Sequence, residues 1–185
     1  MAVLRYRNGS KVLKIFKDRR KKMSKLVLRN RIIVCKNFSG QPSRYNREGD
    51  RNFLLILQGE EAVDLKRQGY NVKQFKPSDD GTEGSYYMPV AVNVGVYRKP
   101  KIVLVDGNHL TQVDVTNAKQ MAMLDHVDVD SVDISIDPYK WIMDNGQSGI
   151  KAYLSTLYIK VREDEFAKDY EKEGYIDANV DIPSF

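Results

Sequence analysis

Hydrophobic and polar positions alternate along most of this chain, and that period of two is typical of half-buried β-strands. The clearest case is residues 86–99, where apolar side chains from Met88 to Val96 occupy every second position. A face of this kind predicts an antiparallel strand that covers a core. Segments with β-branched runs or alternation predict strands at residues 25–35, 52–57, 70–77, 86–99, 101–107, 127–143 and 149–161.

Two of these strands change parity part of the way along. Val129 is odd-numbered, whereas Val132 and the apolar residues after it are even-numbered. Residues 149–161 show a second change, between Leu154 and Leu157. An extra residue in a strand restores such a face, so we expect a β-bulge near Ser131 and another in the last strand. Bulged and strongly bent strands are typical of small closed barrels.

Helical signals are fewer. Residues 60–69 begin with acids and end at Gly69, which predicts a short helix. Residues 114–127 predict a central helix with Asp114 or Thr116 as the N-cap. Residues 36–51 are rich in Gly, Pro, Ser and Asn and predict a loop, as do residues 77–84.

This order of elements predicts a mostly β fold. We interpret it as an oligonucleotide/oligosaccharide-binding (OB) fold, which is a five-stranded Greek-key barrel. In this interpretation the central helix lies between the third and fourth strands, a small helix is inserted, and a C-terminal helix follows the barrel. A β-sandwich is the main competing architecture, and the central helix argues against it.

Charge divides the chain into three parts. Residues 1–22 contain nine Lys or Arg and one acid, whereas residues 163–185 contain eight acids and only Lys168 and Lys172. We therefore expect a basic arm at 1–22, an OB domain at 23–162, and an acidic tail at 163–185 with a short helix followed by a disordered end. Residues 1–22 have two interpretations: they bind phosphates, or they are a non-native extension that precedes a natural translation start at Met23. The asymmetry indicates a nucleic acid or another charged partner.

Catalytic, metal and cofactor signals are weak. His109 and His126 lack an obvious partner, and the acids between Asp125 and Asp137 alternate with Val and Ile as a solvated face does. The chain is therefore expected to be no enzyme and to need no metal or cofactor, although a Mg²⁺-dependent nuclease using the Asp128–Asp137 region stays an alternative. The single cysteine, Cys35, is predicted to be a core thiol and fits a reducing cytoplasm. No membrane span or signal peptide is evident.

Aromatic and basic residues are interleaved in two places, as single-stranded nucleic acid binding requires. The 36–51 loop contains one such set, and the polar faces of the strands contain the other. Stacking of bases on aromatic rings and pairing of phosphates with cations give the candidate DNA-binding residues: Arg29, Arg31, Phe38, Arg44, Tyr45, Arg47, Arg51, Tyr87, Asn93, Tyr97, Arg98, Lys99, Lys151 and Tyr153.

The last residues, "DANVDIPSF", resemble the C-terminal tip of bacterial single-stranded DNA-binding proteins, which end in acids, Ile-Pro and a terminal Phe. Ser184 is a departure from that pattern. The body resembles phage single-stranded DNA-binding proteins in "NFSGQPSRYNREGDRNFLLIL", "DPYKW" and "SGIKAYLSTLYIKVREDEF". The resemblance spans roughly residues 26–170. It implies an OB fold, no catalysis, and coating of single strands in phage replication, recombination and repair, in the cytoplasm of the bacterial host.

The tail suggests a regulatory role on physical grounds. A flexible anion near a basic groove competes with DNA, and when DNA fills the groove the released tail can dock on a polymerase, helicase or nuclease. The sequence does not decide whether the protein forms a homodimer. The competing functions are a virion structural or scaffolding protein without DNA affinity and a single-strand annealing protein. The predicted partner-binding residues of the tail are Asp177, Asp181, Ile182, Pro183 and Phe185.

Overall fold

The structure is a computed structural model, and it describes residues 23–77, 79 and 82–162. Within this part the chain is mostly β, as the sequence predicts. The predicted basic arm and acidic tail, with the C-terminal helix and the five partner-binding residues, lie outside the described residues. In chain order the elements are β1 (Leu26–Arg31), β2 (Ile33–Asn37), β3 (Asn52–Leu57), α1 (Gly59–Gln68), β4 (Lys73–Gln74), β5 (Tyr86–Ala91), β6 (Lys101–Asp106), β7 (His109–Val113), α2 (Ala118–Met123), β8 (Val129–Ile142) and β9 (Ser148–Val161).

The strands form one mixed sheet in the order β1-β8-β9-β5-β3-β2. Its pairs are antiparallel except that β5 and β6 both run parallel to β9. Ile32 alone separates β1 from β2, so the two ends of this order are consecutive in the chain. Its carbonyl accepts a hydrogen bond from the Ile56 N–H of β3. The β6–β7 hairpin extends the sheet beside the second half of β9.

The core lies on the inner face of this curved sheet. It contains fully buried side chains from β3, β5, β8 and β9, including Leu55, Val90, Ile136 and Leu157. Leu65 of α1 and Leu124 after α2 belong to the same core. Burying each such side chain contributes roughly 1.5–3 kcal/mol relative to an exposed one.

Both predicted bulges are present in the β8–β9 pair. The register shifts between Val129 and Ser131, and again where Ser135 pairs with Thr156 but Ile136 pairs with Leu154. The predicted helix at 60–69 is confirmed as α1, and Gly69 ends it in a left-handed conformation with φ of 100°.

Several element predictions need correction. The 25–35 segment is two strands, with an exposed Ile32 between them. Asn30 and Cys35 adopt a positive φ of 51°, and the pairing register shifts in the stretch that contains each of them. The central helix is only Ala118–Met123, with Asn117 as its N-cap. Asp114 instead accepts hydrogen bonds from the N–H and hydroxyl of Thr116, which holds a turn.

Two further corrections concern strand ends. The 86–99 strand stops at Ala91, since the Asn93 side chain accepts the Gly95 N–H and turns the chain away from the sheet. Val92 is buried but Val96 is 41% exposed, so the apolar face does not continue to its predicted end. His109 begins β7, a strand that the sequence analysis did not predict. No helix in the described part of the chain is long and apolar enough to cross a membrane.

Candidate nucleic-acid interface

A broad groove of about 1590 Å³ crosses the outer face of the sheet. Its floor is formed by outward side chains of β3 and β5, among them Leu54, Pro89 and Ala91. One wall is the 36–51 loop. The opposite wall is the far end of the β8–β9 hairpin, residues 139–151, which we call the arm. Any extended polymer on this face would therefore lie between a loop and a β-arm.

The 36–51 loop is organised around the buried side chain of Asn37. Its Nδ2 donates to the carbonyls of Gln41 (3.0 Å) and Asp50 (3.2 Å). Its Oδ1 accepts from the Gly40 and Gln41 N–H groups, both at 3.0 Å, and from the Ser39 hydroxyl at 3.2 Å. One amide thus joins the two ends of the loop, and the loop has a defined shape without ligand.

A second anchor comes from outside the loop. The Asp125 carboxylate accepts the N–H groups of Phe38 at 2.6 Å and Ser39 at 3.0 Å. The Gly49 N–H also donates to the Gly40 carbonyl at 2.8 Å. Charge-assisted bonds such as those to Asp125 are about twice as strong as neutral ones. The segment after α2 therefore fixes the base of the loop against the body.

The groove is electropositive. Its lining contains five cations, Lys36, Arg51, Lys73, Lys76 and Lys151, and two carboxylates, Asp50 and Asp125. Asp125 is already engaged by backbone donors. Burial lowers the pKa of Lys36, although Asp125 and Asp128 act in the opposite direction. Its ammonium donates to the Val127 carbonyl, so Lys36 ties β2 to the chain after α2.

Aromatic rings lie on both walls of the groove. Tyr45, at the tip of the 36–51 loop, is 84% exposed, and Trp141 of the arm is 37% exposed. Phe75 and Tyr87 lie between them on the floor side, with ring centroids 4.3 Å apart. Rings that are exposed in a cationic groove are suited to stack unpaired bases.

The position of Trp141 depends on Gly149, which is its direct cross-strand partner. A Cβ at Gly149 would lie 2.8 Å from Trp141 Cζ2 and 3.0 Å from its Cε2. The indole therefore lies flat over the glycine backbone. This contact holds the ring across the arm and leaves its other face toward the groove.

Four of the predicted DNA-binding residues line the groove: Tyr45, Arg51, Tyr87 and Lys151. Arg44 and Arg47 are exposed on the same loop, and the Arg44 guanidinium lies 5.7 Å from the Tyr45 ring centroid. Tyr153 adjoins Lys151, whose ammonium is 5.2 Å from its ring centroid.

Phe38 is a correction, because its side chain is fully buried and packs on Phe53 with ring centroids 5.5 Å apart. Its ring is unavailable to a base. Arg31 is also engaged elsewhere, in an ion pair of 2.9 Å with Glu61 of α1. Arg29 is exposed on β1 and does not line the groove.

The remaining candidates lie apart from the groove. Asn93, Tyr97, Arg98 and Lys99 are exposed on the 92–100 loop, which joins β5 to β6. The sequence analysis expected them on the polar face of a strand, but the structure places them on a loop.

The sequence analysis missed two kinds of groove residue, an aromatic ring and three lysines, and it misplaced Cys35. Trp141 was not singled out, although it shares the odd parity of Asp133 and Asp137, which lie opposite the core positions of β8. Lys36, Lys73 and Lys76 were also missed. Cys35 lines the groove and is exposed, so the prediction of a core thiol is wrong.

Three of the acids considered for a nuclease lie beside cations. Asp128 lies 3.5 Å from Arg162, Asp133 lies 3.9 Å from Lys160, and Asp137 lies 3.6 Å from Lys25. Among the described residues, no group of three His, Cys, Asp or Glu side chains could hold a metal ion. This arrangement gives the nuclease alternative no support.

A family model described as "Putative phage ssDNA-binding domain" matches residues 16–184. A comparison with curated proteins finds no significant match. The fold is similar to a solved structure of a single-stranded DNA-binding protein from bacteriophage Enc34, a C-terminal truncation, with a TM-score of 0.50 and 10% identity over 76% of this chain and 87% of that one. A structure of the Enc34 protein in complex with ssDNA gives the same TM-score and identity, with 77% and 89% covered.

Proposed function

We propose, from the premise that this chain belongs to the phage ssDNA-binding domain family, that it binds single-stranded DNA in the groove between the 36–51 loop and the arm. The observation that carries this proposal is the composition of the groove. Exposed aromatic rings lie on both walls. The lining contains five cations but only two carboxylates, and one of these carboxylates already accepts backbone N–H groups.

The chemistry of the groove suits binding without sequence preference. Bases stack on Tyr45 and Trp141, for roughly 1–3 kcal/mol per base, while phosphates pair with cations such as Arg51 and Lys151. The floor at Leu54, Pro89 and Ala91 offers apolar contact, which cannot distinguish one base edge from another. The protein acts by binding and not by catalysis.

We further propose that residues 23–162 form an OB domain. An OB barrel has five strands and uses the faces of its second and third strands, with two adjoining loops, to bind oligonucleotides. With β1 and β2 counted as one bent strand, the sheet order and the position of α2 before β8 suit that barrel. The loop between β2 and β3 and the β8–β9 arm then correspond to the two binding loops.

Titration of tryptophan fluorescence with oligo-dT tests the binding directly. Trp141 is the single tryptophan of the chain and lies in the groove. We expect strong quenching at low salt and weaker binding at high salt, because each phosphate contact contributes about 0.7 to the slope of log K against log salt for single strands. Absence of both quenching and binding at low salt overturns the proposal.

A footprint on Cys35 provides a second readout. Cys35 is the single cysteine and lines the groove, so oligo-dT should slow its alkylation. The variant Tyr45→Ala should weaken oligo-dT binding about tenfold. The matched variant Tyr139→Ala, on the same arm as Trp141 but outside the groove lining, should have a much smaller effect on a short oligonucleotide.

For the cellular role, we propose that the protein coats single strands during phage replication, recombination and repair in the host cytoplasm. The acidic residues 163–185 compete with DNA for the groove. Once displaced, they recruit a polymerase, helicase or nuclease through Asp177, Asp181, Ile182, Pro183 and Phe185. Charge complementarity with the groove supports this role.

A further inference from the structure

β9 continues past the groove, and its Tyr158 forms a second lysine–tyrosine pair on the same outer face with Lys101 of the neighbouring β6. The first pair is Lys151 and Tyr153, beside the groove. In the second, the Lys101 ammonium of β6 is 5.6 Å from the Tyr158 ring centroid and 3.4 Å from its hydroxyl oxygen. The groove described above does not include either residue.

The bulge at Ser155 is what places both tyrosines on one face. Tyr153 and Tyr158 differ in parity, so in a regular strand they would point to opposite sides. The pairing with β8 skips Ser155, and Leu154 and Leu157 are consequently both buried. The outer face of β9 thus runs without interruption from the groove to Tyr158 and Lys160.

The 92–100 loop joins β5 and β6, the two strands that run parallel to β9, and it adds charge near them. β5 pairs with β9 at Ala152 and Tyr153, and β6 begins to pair only at Thr156. The chain that connects β5 to β6 leaves the sheet beside the stretch of β9 between Tyr153 and Thr156, which pairs with neither of them. Its Tyr97 is fully exposed, and Arg98 and Lys99 are exposed as well.

The carboxylates of this face are mostly compensated. Asp133, opposite Tyr158, accepts the Asn30 N–H at 2.9 Å and lies near Lys160. Asp137 lies near Lys25. None of the ion pairs between described residues involves Arg98 or Lys101, so these cations are available to a ligand.

We propose that a single strand leaving the groove crosses the outer face of β9 and makes a second contact at Lys101 and Tyr158. This inference rests on the proposed function and extends it. Tyr158 stacks a base and Lys101 pairs with the adjacent phosphate. Six strand steps separate Lys151 from Tyr158 once the bulge is discounted, which is about 20 Å. A stacked strand advances about 3.4 Å per nucleotide, so the distance corresponds to about six nucleotides.

Two oligonucleotide lengths separate this contact from the groove. The variant Lys101→Gln/Tyr158→Leu is titrated with oligo-dT of about 6 and about 20 nucleotides. We expect the long strand to bind about tenfold more weakly, with its salt slope reduced by about 0.7 for the lost phosphate. Affinity for the short strand stays within about twofold of wild type. Lys119→Gln, an exposed lysine on α2, is the matched charge control, and Tyr158→Phe keeps the ring and should keep the affinity.

The outcomes distinguish the two proposals. If the variant binds both lengths as wild type does, the second contact is overturned and the groove stands. If both lengths weaken equally while the melting curve is unchanged, the two residues belong to the groove and a separate contact is again excluded. If wild-type protein binds neither length at low salt, the proposed function itself fails.

Discussion

At the scale of single residues, the groove depends on side chains that position others. Asn37 is 9% exposed and joins both ends of the 36–51 loop through five hydrogen bonds, so Tyr45 is presented by a loop that is ordered without a ligand. Ordering that precedes binding lowers the entropy cost of association.

Replacing Asn37 by alanine should therefore affect stability and binding together. Leaving buried partners unsatisfied costs about 1–3 kcal/mol in the free energy of unfolding, and the looser loop should weaken oligo-dT binding several-fold. Urea denaturation and fluorescence titration measure the two effects. Asn108→Ala, in the exposed β6–β7 turn, is the matched control and should change neither. An Asn37→Ala variant with wild-type stability would contradict this account of the loop.

The contact between Gly149 and Trp141 leads to a separate prediction about the position of the indole ring. A Cβ at this position displaces the indole, whereas the backbone of Gly149 does not need a positive φ. We expect Gly149→Ala to red-shift the tryptophan emission and to weaken oligo-dT binding about tenfold through loss of one stacked base. Gly59→Ala, where a Cβ meets nothing within 4 Å, is the control. An unshifted emission spectrum would show that the ring does not depend on the glycine.

The same residues show what a sequence can predict about the site. The interleaving of Tyr45 and Arg51 with polar residues singled out the 36–51 loop, and the structure places both residues in the groove lining. It could not separate Tyr45 from Phe38, because no periodicity tells which aromatic of an irregular loop faces inward. Trp141 could be recognised as a groove residue only once its cross-strand partner was known to be Gly149. The sequence alone does not give that partner, because strand register is set by how two strands pair.

At the scale of elements, alternation was informative wherever the strand pairs over its whole length. Both parity changes in β8 and β9 correspond to bulges, because a core face must be restored after an extra residue. The alternation of residues 92–99 did not indicate a strand, since the chain leaves the sheet after Ala91. Likewise, local side-chain bonds at Asp114 and Asn117 shorten the central helix, which helical periodicity alone could not indicate.

Deletion of Ser155 tests the importance of the bulge. Without it, one half of β9 must turn its buried side chains outward, because a one-residue shift exchanges the two faces of a strand. We expect a loss of several kcal/mol, which corresponds to a fall in melting temperature of more than about 10 °C. Deletion of Asn145 in the exposed β8–β9 turn is the control and should cost far less. A deletion variant that melts like wild type would show that the bulge is dispensable.

At the scale of the whole molecule, affinity for DNA cannot follow from net charge. The chain carries +5 overall, but residues 1–22 contribute +8, so the rest is net negative. Outside that basic segment, attraction for DNA requires a local excess of cations, such as the one in the groove. In the proposed role, the acidic residues 163–185 compete with DNA for that same excess through their charge.

Removing residues 174–185 should therefore tighten binding. The truncation takes away Asp177 and Asp181 with the terminal Phe185, and it leaves every described residue in place. We expect an unchanged melting temperature, a several-fold gain in oligo-dT affinity at low salt, and a smaller gain at high salt, because screening weakens the competing anion. A variant with Asp177→Asn and Asp181→Asn, which keeps the length and Phe185, should show most of the gain if charge is the cause. If truncation weakens binding, or if the gain is the same at both salt concentrations, the tail does not act as an electrostatic competitor.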